Sequence, residues 1–491
     1  MFAILTCFKN ESHILREWIE HYKNRGAEHI YMINDFSTDN YLEIIQPYLN
    51  IGFITLLNSD IKSNKIGRQT ELYNKYFYSI VKEEKHKWFF ILDLDEFLYS
   101  PINTDLNKII EKYDDYSQVH IGWQNFGSNS FIEQPDEVVY NFTKRTVYGD
   151  SKTFISHKSG FKSRDFISFG IHSSNVDGKS KWFKHTNDDS DLIINHYSIQ
   201  SWNHFVYKKT KNGDINNWPT GASYLKPDEY RKYFDLRDSN EVLDIRLKEQ
   251  NLEIRYNLIK EDDVTVVITS CNRSDLLKFT LDSFIKYNTY PIKKFIIIDD
   301  SGKKNINDFC LNDYPNETFK LIYNDENVGQ VESIDKAYCF VDTKWIFHCE
   351  EDWLFTKKGF IEESFRIFDK EGPKLFTVWL RPHNDTSAHP IINQNDKNYY
   401  YMDRTFSYYY KKVKHTWCGF TFNPGLRRTK NALLLHPYLK NVDKDPLSNR
   451  VGEYIINAAY RIRGFYAAIT NEAKGYCHHI GSGRHIHRSW D

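Results

Sequence analysis

Two short acidic motifs are the residues of this sequence best suited to chemistry. Asp93 and Asp95 in the first half, and Glu350 and Asp352 in the second, are each separated by one residue and follow an apolar run that begins with tryptophan. Carboxylates are rarely buried together without a cation, because an unpaired buried charge costs on the order of several kcal/mol. Carboxylates completed by phosphate oxygens and water are the usual ligands of Mg²⁺ or Mn²⁺. The motifs therefore predict two divalent-cation sites that face a diphosphate.

A histidine late in each half is suited to complete these sites. His196 lies in the segment IINHYS and His479 in CHHIG. An imidazole nitrogen suits Mn²⁺ better than Mg²⁺. We therefore predict one Mn²⁺ or Mg²⁺ ion per domain, with two sets of metal ligands: Asp93, Asp95 and His196, and Glu350, Asp352 and His479.

The elements that must position these motifs recur in the same order in both halves. Each half opens with an apolar strand and a polar turn, FAILTCFKNE and VTVVITSCNRSD, followed by a stretch with helical spacing. A second strand then ends in acid, at Asp35 in the first half and at Asp299 and Asp300 in the second. This order predicts an α/β fold with parallel strands and right-handed crossovers. The acidic motifs are expected at the carboxyl ends of the strands, where such sheets bind ligands.

The length of 491 residues predicts more than one domain, because a single hydrophobic core rarely serves more than about 250–300 residues. We predict an N-terminal domain over residues 1–225 and a C-terminal domain over 262–491. Residues 226–261, rich in charge and tyrosine, are interpreted as a helical connector.

The composition indicates which partners and which cellular compartment to expect. A formal net charge of -1 argues against a nucleic-acid partner, and short basic runs such as residues 208–211 are interpreted as solvated surface. Seven scattered cysteines favour reduced thiols and a cytoplasmic location. We interpret the N-terminal segment MFAILTCFKNES as a first β-strand rather than a signal peptide, and we expect no membrane span, since no apolar stretch approaches the roughly 20 residues that one needs.

The motifs also resemble two families of glycosyltransferases. The first half, with TCFKNESHILREWIEHY, IND, LDLDEFL, WQNFGS and NHY, is similar to family 92 and related family 2-like enzymes. The second half, with SCNRSDLLKFTLDSF, IIIDDSG, NVGQVESIDKAY, HCEEDWLF and HHIGSGR, resembles family 2-type enzymes of the GT-A fold. The resemblance implies two tandem GT-A, Rossmann-like domains. It also implies inverting transfer from nucleotide-sugar donors, UDP-sugars by resemblance, to a glycan acceptor.

The resemblance further implies which residues contact the donor. In the first half, Asp35 and the turn from Thr6 to Glu11 would hold the nucleoside. Arg68 is expected either to contact the donor or to lie at the surface, and Lys162 or Lys152 to neutralise the leaving diphosphate or to lie at the surface. The complete set of expected donor-binding residues is Thr6, Cys7, Glu11, Asp35, Arg68, Lys162, Thr269, Asn272, Arg273, Asp299 and Asp300.

An inverting transfer also needs a base that takes the proton of the acceptor hydroxyl. Glu453, in GEYIINAAY, is the candidate in the second half, with a surface glutamate as the alternative. In the first half Glu96 and Asp165 are both candidates. Glu350 stands where the family pattern has aspartate, which puts the geometry of the second metal site in question rather than its existence.

Three other functions compete with a bifunctional glycosyltransferase. In the first alternative, one domain has lost its chemistry but keeps donor or acceptor binding. In the second, the chain is a carbohydrate-binding scaffold on a transferase fold, since fold does not fix function. A nucleotidyltransferase is disfavoured, because neither first strand is followed by a glycine-rich triphosphate loop.

Overall fold

The first strand of each half is buried along its whole length, as its apolar composition requires. The computed structural model describes residues 1–62, 67–147, 156–183, 190–212, 226–304, 306, 313–386, 389–393, 397–410, 413–445 and 449–483. It divides the chain into two units, Met1–Asn251 and Leu252–Asp491. Lys152 of the expected donor contacts lies outside the described residues.

The first unit contains a mixed sheet with helices on its faces. Its strands are β1 (Phe2–Phe8), β2 (Ala27–Asn34), β3 (Ile54–Asn58), β4 (Trp88–Ile91), β5 (Glu96–Tyr99), β6 (Gln118–Asn125), β7 (Lys144–Arg145), β8 (His157–Lys162), β9 (Phe166–Ser168), β10 (Asn175–Val176), β11 (Ser180–Phe183), β12 (Ile193–His196) and β13 (Val242–Leu243). Its helices are α1 (Ser12–Lys23), α2 (Tyr41–Asn50), α3 (Arg68–Tyr76), α4 (Tyr78–Lys82), α5 (Leu106–Ile110), α6 (Val138–Asn141), α7 (Trp202–Tyr207), α8 (Tyr230–Arg237) and α9 (Arg246–Asn257), the last of which continues into the second unit.

The strand order of the main sheet places the ends of β1, β2 and β4 side by side. The order is β3-β2-β1-β4-β8-β6-β12-β5, with β11 also paired to β6. The strands β3, β2, β1 and β4 are parallel, whereas β8 runs antiparallel to β4. The residues after β1, β2 and β4, which include Glu11, Asp35 and Asp93, therefore meet at one edge of the sheet.

The second unit repeats this plan. Its strands are β14 (Val264–Ser270), β15 (Ile292–Asp299), β16 (Phe319–Tyr323), β17 (Trp345–Glu350), β18 (Trp353–Phe355), β19 (Leu375–Trp379), β20 (Ile391–Asn393), β21 (Tyr399–Met402), β22 (Ser407–Tyr410), β23 (Val413–Thr416), β24 (Gly425–Arg428), β25 (Tyr466–Thr470) and β26 (Cys477–His479). Its helices are α10 (Ser274–Tyr287), α11 (Gln330–Tyr338), α12 (Phe360–Lys370), α13 (Thr429–Leu433), α14 (Tyr438–Asn441) and α15 (Glu453–Arg461). The sheet order β16-β15-β14-β17-β24, parallel except for β24, matches β3-β2-β1-β4-β8.

The predicted α/β fold with two Rossmann-like sheets is confirmed. The predicted connector contains α8 and α9, but it also supplies β13, which pairs with β7 of the first unit. Within the described ranges, no helix is long and apolar enough to cross a membrane. The six cysteines that lie in those ranges are free of disulfide bonds.

Candidate functional site

The acidic motif of the second unit lies in the turn between β17 and β18, at the carboxyl end of the sheet. Asp352 is 4% exposed. Its Oδ2 accepts a hydrogen bond from Arg273 Nη1 at 2.9 Å and lies 3.2 Å from His479 Nε2, while its Oδ1 is buried without a hydrogen-bond partner. His479 lies beside Asp352 because β26 pairs with β18, which sets His479 opposite Trp353. The structure thus brings two of the three predicted metal ligands into contact.

Glycine is required beside this carboxylate. A Cβ on Gly481 would lie 2.2 Å from Asp352 Oδ2, closer than any real contact allows. The backbone after His479 therefore approaches the acid more closely than any other residue type would permit.

A third acid, Glu351, belongs to the same cluster and was not predicted. Its Oε1 accepts hydrogen bonds from Arg273 Nε at 2.7 Å and from the backbone N–H of Cys271 at 3.1 Å. Burial raises the pKa of Glu351 to about 7, although the Arg273 guanidinium lowers it. The sequence signal was the unbroken run of three acids in HCEEDW, of which only the alternate residues were interpreted as ligands.

Glu350 lies beside these groups, and the pKa of its carboxyl is strongly raised. Burial, together with the charges of Asp352 and Glu453, raises the pKa of Glu350 to about 8. Gln330 Nε2 donates to its Oε1 at 2.7 Å. Glu351 and Asp352 share the positive charge of Arg273, and Glu350 adds a third carboxyl beside them, an arrangement that an added divalent cation would stabilise.

A cavity of about 690 Å³ opens beside the acidic cluster. Its lining residues are Thr269, Ser270, Cys271, Arg273, Asp300, Asn327, Val328, Gly329, Gln330, Val331, Glu332, Ser333, Glu350, Glu351, Leu439, Lys444, Asn449, Arg450, Val451 and Gly452. Pockets for small ligands typically enclose about 300–1,000 Å³. The volume and the mixed polar and apolar lining suit a nucleotide.

The residues of the second unit that were expected to contact the donor mostly form hydrogen bonds within the protein. Asp300 accepts hydrogen bonds from the backbone N–H groups of Val328 and Gly329, both at 2.8 Å, and so holds the loop before α11 against the cavity. Asp299 accepts two from Ser301 in its own turn. Asn272 has a φ of 54°, in the left-handed region, which turns the chain from β14 into α10.

The predicted base Glu453 begins α15, directly after Gly452 of the cavity wall. Its Oε1 accepts a hydrogen bond from the backbone N–H of Phe422 at 2.6 Å. Burial raises the pKa of Glu453 above its ordinary value. A carboxyl fixed beside a pocket, with a pKa moved towards neutrality, has the properties of a general base.

In the first unit the ligand atoms that converge come from Asp95, Glu96 and His196, all within 4.8 Å of one another. β12 pairs with β5, which sets His196 opposite Glu96. Asn125 Oδ1 accepts from His196 Nδ1 at 3.0 Å, so the unprotonated Nε2, 3.7 Å from Asp95 Oδ1, is the nitrogen available to a metal. Glu96 Oε1 is buried without a hydrogen-bond partner. Glu96, expected as a base, therefore lies within the ligand cluster.

Two lysines that the sequence did not indicate neutralise this cluster. Lys158 Nζ donates to Asp93 Oδ2 at 2.7 Å, and Lys208 Nζ lies 2.9 Å from Glu11 Oε1 and 3.4 Å from Asp95 Oδ2. Burial raises the pKa of Asp95, but these ammonium groups and His196 lower it to about 2. The interpretation of residues 208–211 as solvated surface is wrong for Lys208.

Lys162 does not lie at this site, contrary to the prediction. Because β8 runs antiparallel to β4, Lys162 pairs with Trp88 at the start of β4, whereas Asp93 follows its end. Its Nζ donates to the backbone oxygen of Asp114. The candidate base Asp165 lies at that same far end, one turn after Lys162. Lys158, at the other end of β8, occupies the position expected of Lys162.

Arg68 and Asp35, both expected to contact the donor, form a buried ion pair with each other. Arg68 Nη1 and Nη2 donate to the two carboxylate oxygens of Asp35, each at 2.7 Å. The alternative that Arg68 lies at the surface is wrong, since both side chains are at most 1% exposed. Thr6 and Cys7 are buried in β1 beside them, and burial raises the pKa of the Cys7 thiol well above its usual value.

Comparison with known proteins gives each unit a different match. Residues 3–238 match the model of glycosyltransferase family 92, and residues 265–432 match that of glycosyl transferase family 2. A galactan beta-1,4-galactosyltransferase of Arabidopsis thaliana, GALS2, is 27% identical over 119 residues, which are 22% of this chain and 21% of the relative. A family 92 protein of Ricinus communis is 21% identical over 214 residues, 42% of this chain and 37% of the relative. The chain thus matches only 21–37% of the length of these relatives.

Among solved structures, the mannosyltransferase PcManGT from Pyrobaculum calidifontis, in complex with GDP-Man and Mn²⁺, is similar with a TM-score of 0.32 and 13% identity. The match covers 49% of this chain and 65% of that one. S. aureus TarS 1-349 is similar with a TM-score of 0.30 and 13% identity, over 44% of this chain and 59% of that one.

Proposed function

We propose that this chain, whose residues 3–238 and 265–432 match glycosyltransferase families 92 and 2, is a bifunctional enzyme that transfers sugars from nucleotide-sugar donors to a glycan acceptor. The single observation that carries the proposal is the convergence of carboxylates and a histidine at the carboxyl edge of both sheets, beside a nucleotide-sized cavity in the second unit. A UDP-sugar is the proposed donor, with inversion at the anomeric carbon.

The acidic cluster of the second unit fits a divalent cation. Asp352 Oδ1 is buried without a hydrogen-bond partner, and unsatisfied buried acceptors are rare in native proteins. Carboxylate oxygens and one imidazole nitrogen form a ligand set suited to Mn²⁺. Glu350, Asp352 and His479 would hold the ion, which when bound supplies positive charge to the departing diphosphate.

The nucleotide would lie in the cavity bounded by the loop that Asp300 holds. Arg450 and Lys444 also line the cavity and contribute positive charge to it. These cationic side chains suit a diphosphate, while Thr269, Cys271 and Asn327 offer hydrogen-bonding groups to a nucleoside.

Glu453 would take the proton during transfer. The acceptor hydroxyl oxygen forms a bond to the anomeric carbon as the bond from that carbon to the diphosphate oxygen breaks, and the hydroxyl proton passes to the Glu453 carboxylate. The backbone N–H of Phe422 and the side chain of Thr421 both hydrogen-bond to the Glu453 carboxylate and hold it in place.

The first unit also combines possible metal ligands with basic side chains, but here lysines already pair with the acids. Asp95, Glu96 and His196 would hold a cation, and Lys158 and Lys208 add positive charge that a leaving diphosphate can use. These ion pairs also favour a second candidate function for this unit, donor binding without transfer, because Asp93 and Asp95 are already neutralised.

The test is hydrolysis of UDP-sugars by the full chain, with Mn²⁺ and with a chelator, for the wild type and for Asp352→Asn. We expect the wild type to release UDP only when Mn²⁺ is present. In Asp352→Asn the rate should fall to the activity that the first unit contributes. Asp443→Asn, a change of an exposed acid in the same unit, is the matched control and should leave the rate unchanged. Metal-independent turnover, or an equal effect of both variants, would contradict the proposal.

A further inference from the structure

Two histidines and a glutamate meet between the start of α1 and α7 in the first unit. Glu11 precedes α1, His13 lies in its first turn, and His204 lies in α7. One possible ligand atom from each residue lies within 4.8 Å of the other two, and the imidazole centroids are 4.3 Å apart. The segments are distant in sequence, so the fold itself assembles this cluster.

A chain of hydrogen bonds fixes which nitrogen of His13 carries the proton. The backbone N–H of Ser201 donates to Gln134 Oε1 at 3.3 Å, so the amide nitrogen of Gln134 is the atom that donates to Gln200 Oε1 at 2.8 Å. Gln200 Oε1 is therefore an acceptor, and His13 Nε2, 3.1 Å away, must be its donor. His13 Nδ1 thus carries a lone pair.

The remaining two groups also present unused atoms. Glu11 Oε1 accepts from Lys208, but Glu11 Oε2 is buried without a hydrogen-bond partner and lies 3.9 Å from His13 Nδ1. His204 Nε2 is likewise buried and without a partner. Leaving such atoms buried and unsatisfied is costly, and two lone pairs that face each other repel. A cation bound by all three groups would satisfy the buried atoms and remove the repulsion between the lone pairs.

We propose that Glu11 Oε2, His13 Nδ1 and His204 Nε2 bind a divalent transition metal of the zinc class. Two imidazole nitrogens and one carboxylate oxygen are a frequent three-residue zinc set. Gln200 plays the part of the outer hydrogen-bond partner that orients most zinc-bound histidines. The ion would tie the start of α1 to α7.

This site is distinct from the cluster of Asp95, Glu96 and His196. The Lys208 ammonium stands between the two, 2.9 Å from Glu11 Oε1 and 3.4 Å from Asp95 Oδ2. It bridges one carboxylate of each cluster, so the two ligand sets are separate groups joined by a single lysine. The ligand sets also differ in kind, since the new one has two nitrogens and suits a softer metal.

The test is Co²⁺ binding to the metal-stripped full chain in excess Mg²⁺, followed by the visible absorption of Co²⁺ and by competition with Zn²⁺. We expect one tight Co²⁺ per chain that Zn²⁺ displaces. Gln200→Leu should weaken binding roughly 10–100-fold, as loss of an outer partner does. His204→Ala and Glu11→Gln should weaken it further. Circular dichroism and thermal melting establish that each variant is folded.

The chain offers a matched control in His86. It also lies near a histidine and a glutamate, His29 and Glu28, but its two ring nitrogens already contact Glu28 Oε2 at 2.8 Å and Tyr31 Oη at 3.2 Å. His86→Ala should leave Co²⁺ affinity unchanged. The proposal is wrong if folded wild type binds no tight Co²⁺, if His204→Ala binds it equally well, or if His196→Ala, rather than His204→Ala, abolishes binding.

Discussion

Replacement of Arg68 by methionine should destabilise the first unit severely. The guanidinium makes two hydrogen bonds of 2.7 Å to Asp35 and one of 2.6 Å to the backbone oxygen of Ile61, and both charged side chains are at most 1% exposed. Arg68→Met leaves the Asp35 carboxylate buried without its counter-charge. Removal of one partner of a buried pair costs about 3–5 kcal/mol.

The loss is large enough to measure by thermal melting. For a unit of this size 1 kcal/mol corresponds to about 2–4 °C, so the first unit should melt roughly 6–20 °C lower. The double variant Asp35→Asn/Arg68→Met should regain part of the loss, because it removes both charges. Lys75→Met breaks the exposed pair between Lys75 and Asp60 and should change the melting temperature little.

If Arg68→Met melts within a degree or so of Lys75→Met, the buried ion pair does not stabilise the first unit. The same holds if Arg68→Met keeps full stability and loses only nucleotide binding. The guanidinium would then belong to the donor, as the family resemblance first suggested, and its pairing with Asp35 would be incidental.

Three further variants of the second unit test its chemistry and electrostatics. Glu453→Gln should lower transfer by roughly 10²–10⁴-fold while donor affinity, measured by calorimetry, stays unchanged; equal loss of affinity would argue against a base. Gly481→Ala should displace the Asp352 carboxylate and weaken Mn²⁺ binding, whereas Gly372→Ala, where a Cβ meets nothing within 4 Å, should not. Burial raises the pKa of Glu371, but the Lys397 ammonium and three tyrosine hydroxyls lower it to about 2. Because that pKa is depressed, the stabilisation is present above the unfolded value of about 4.5 and is lost as pH falls towards 2. Glu371→Gln should therefore melt lower at neutral pH and approach the wild type in acid; a constant difference would contradict this.

The fold and the approximate place of both sites followed from local sequence patterns. Apolar strands that end in acid, repeated in one order, required parallel sheets whose carboxyl ends gather Asp93, Asp95, Glu350 and Asp352. His196 and His479 were predicted as ligands because each is a histidine late in its half of the sequence. The placing of the acids depends only on strand direction and order.

The basic residues that pair with these acids could not be predicted from the sequence, because their positions depend on pairing between distant strands. Lys158 and Lys162 differ by four positions in β8, and only the antiparallel register with β4 decides which of them reaches Asp93. Lys208 looks like part of an exposed basic run until its segment is placed beside Glu11 and Asp95. Arg68 pairs with Asp35 because both lie at the same edge of the sheet. Their separation in the sequence gives no sign of this contact.

The most direct test of two separate donor sites is hydrolysis of UDP-, GDP- and TDP-sugars with Mn²⁺ by three proteins: the wild type, Asp93→Ala/Asp95→Ala and Glu350→Ala/Asp352→Ala. Two active units predict that each variant loses a different part of the wild-type activity while it remains folded. If either variant alone abolishes turnover of every donor and the other changes nothing, the chain has one active site, and the claim of two activities is contradicted.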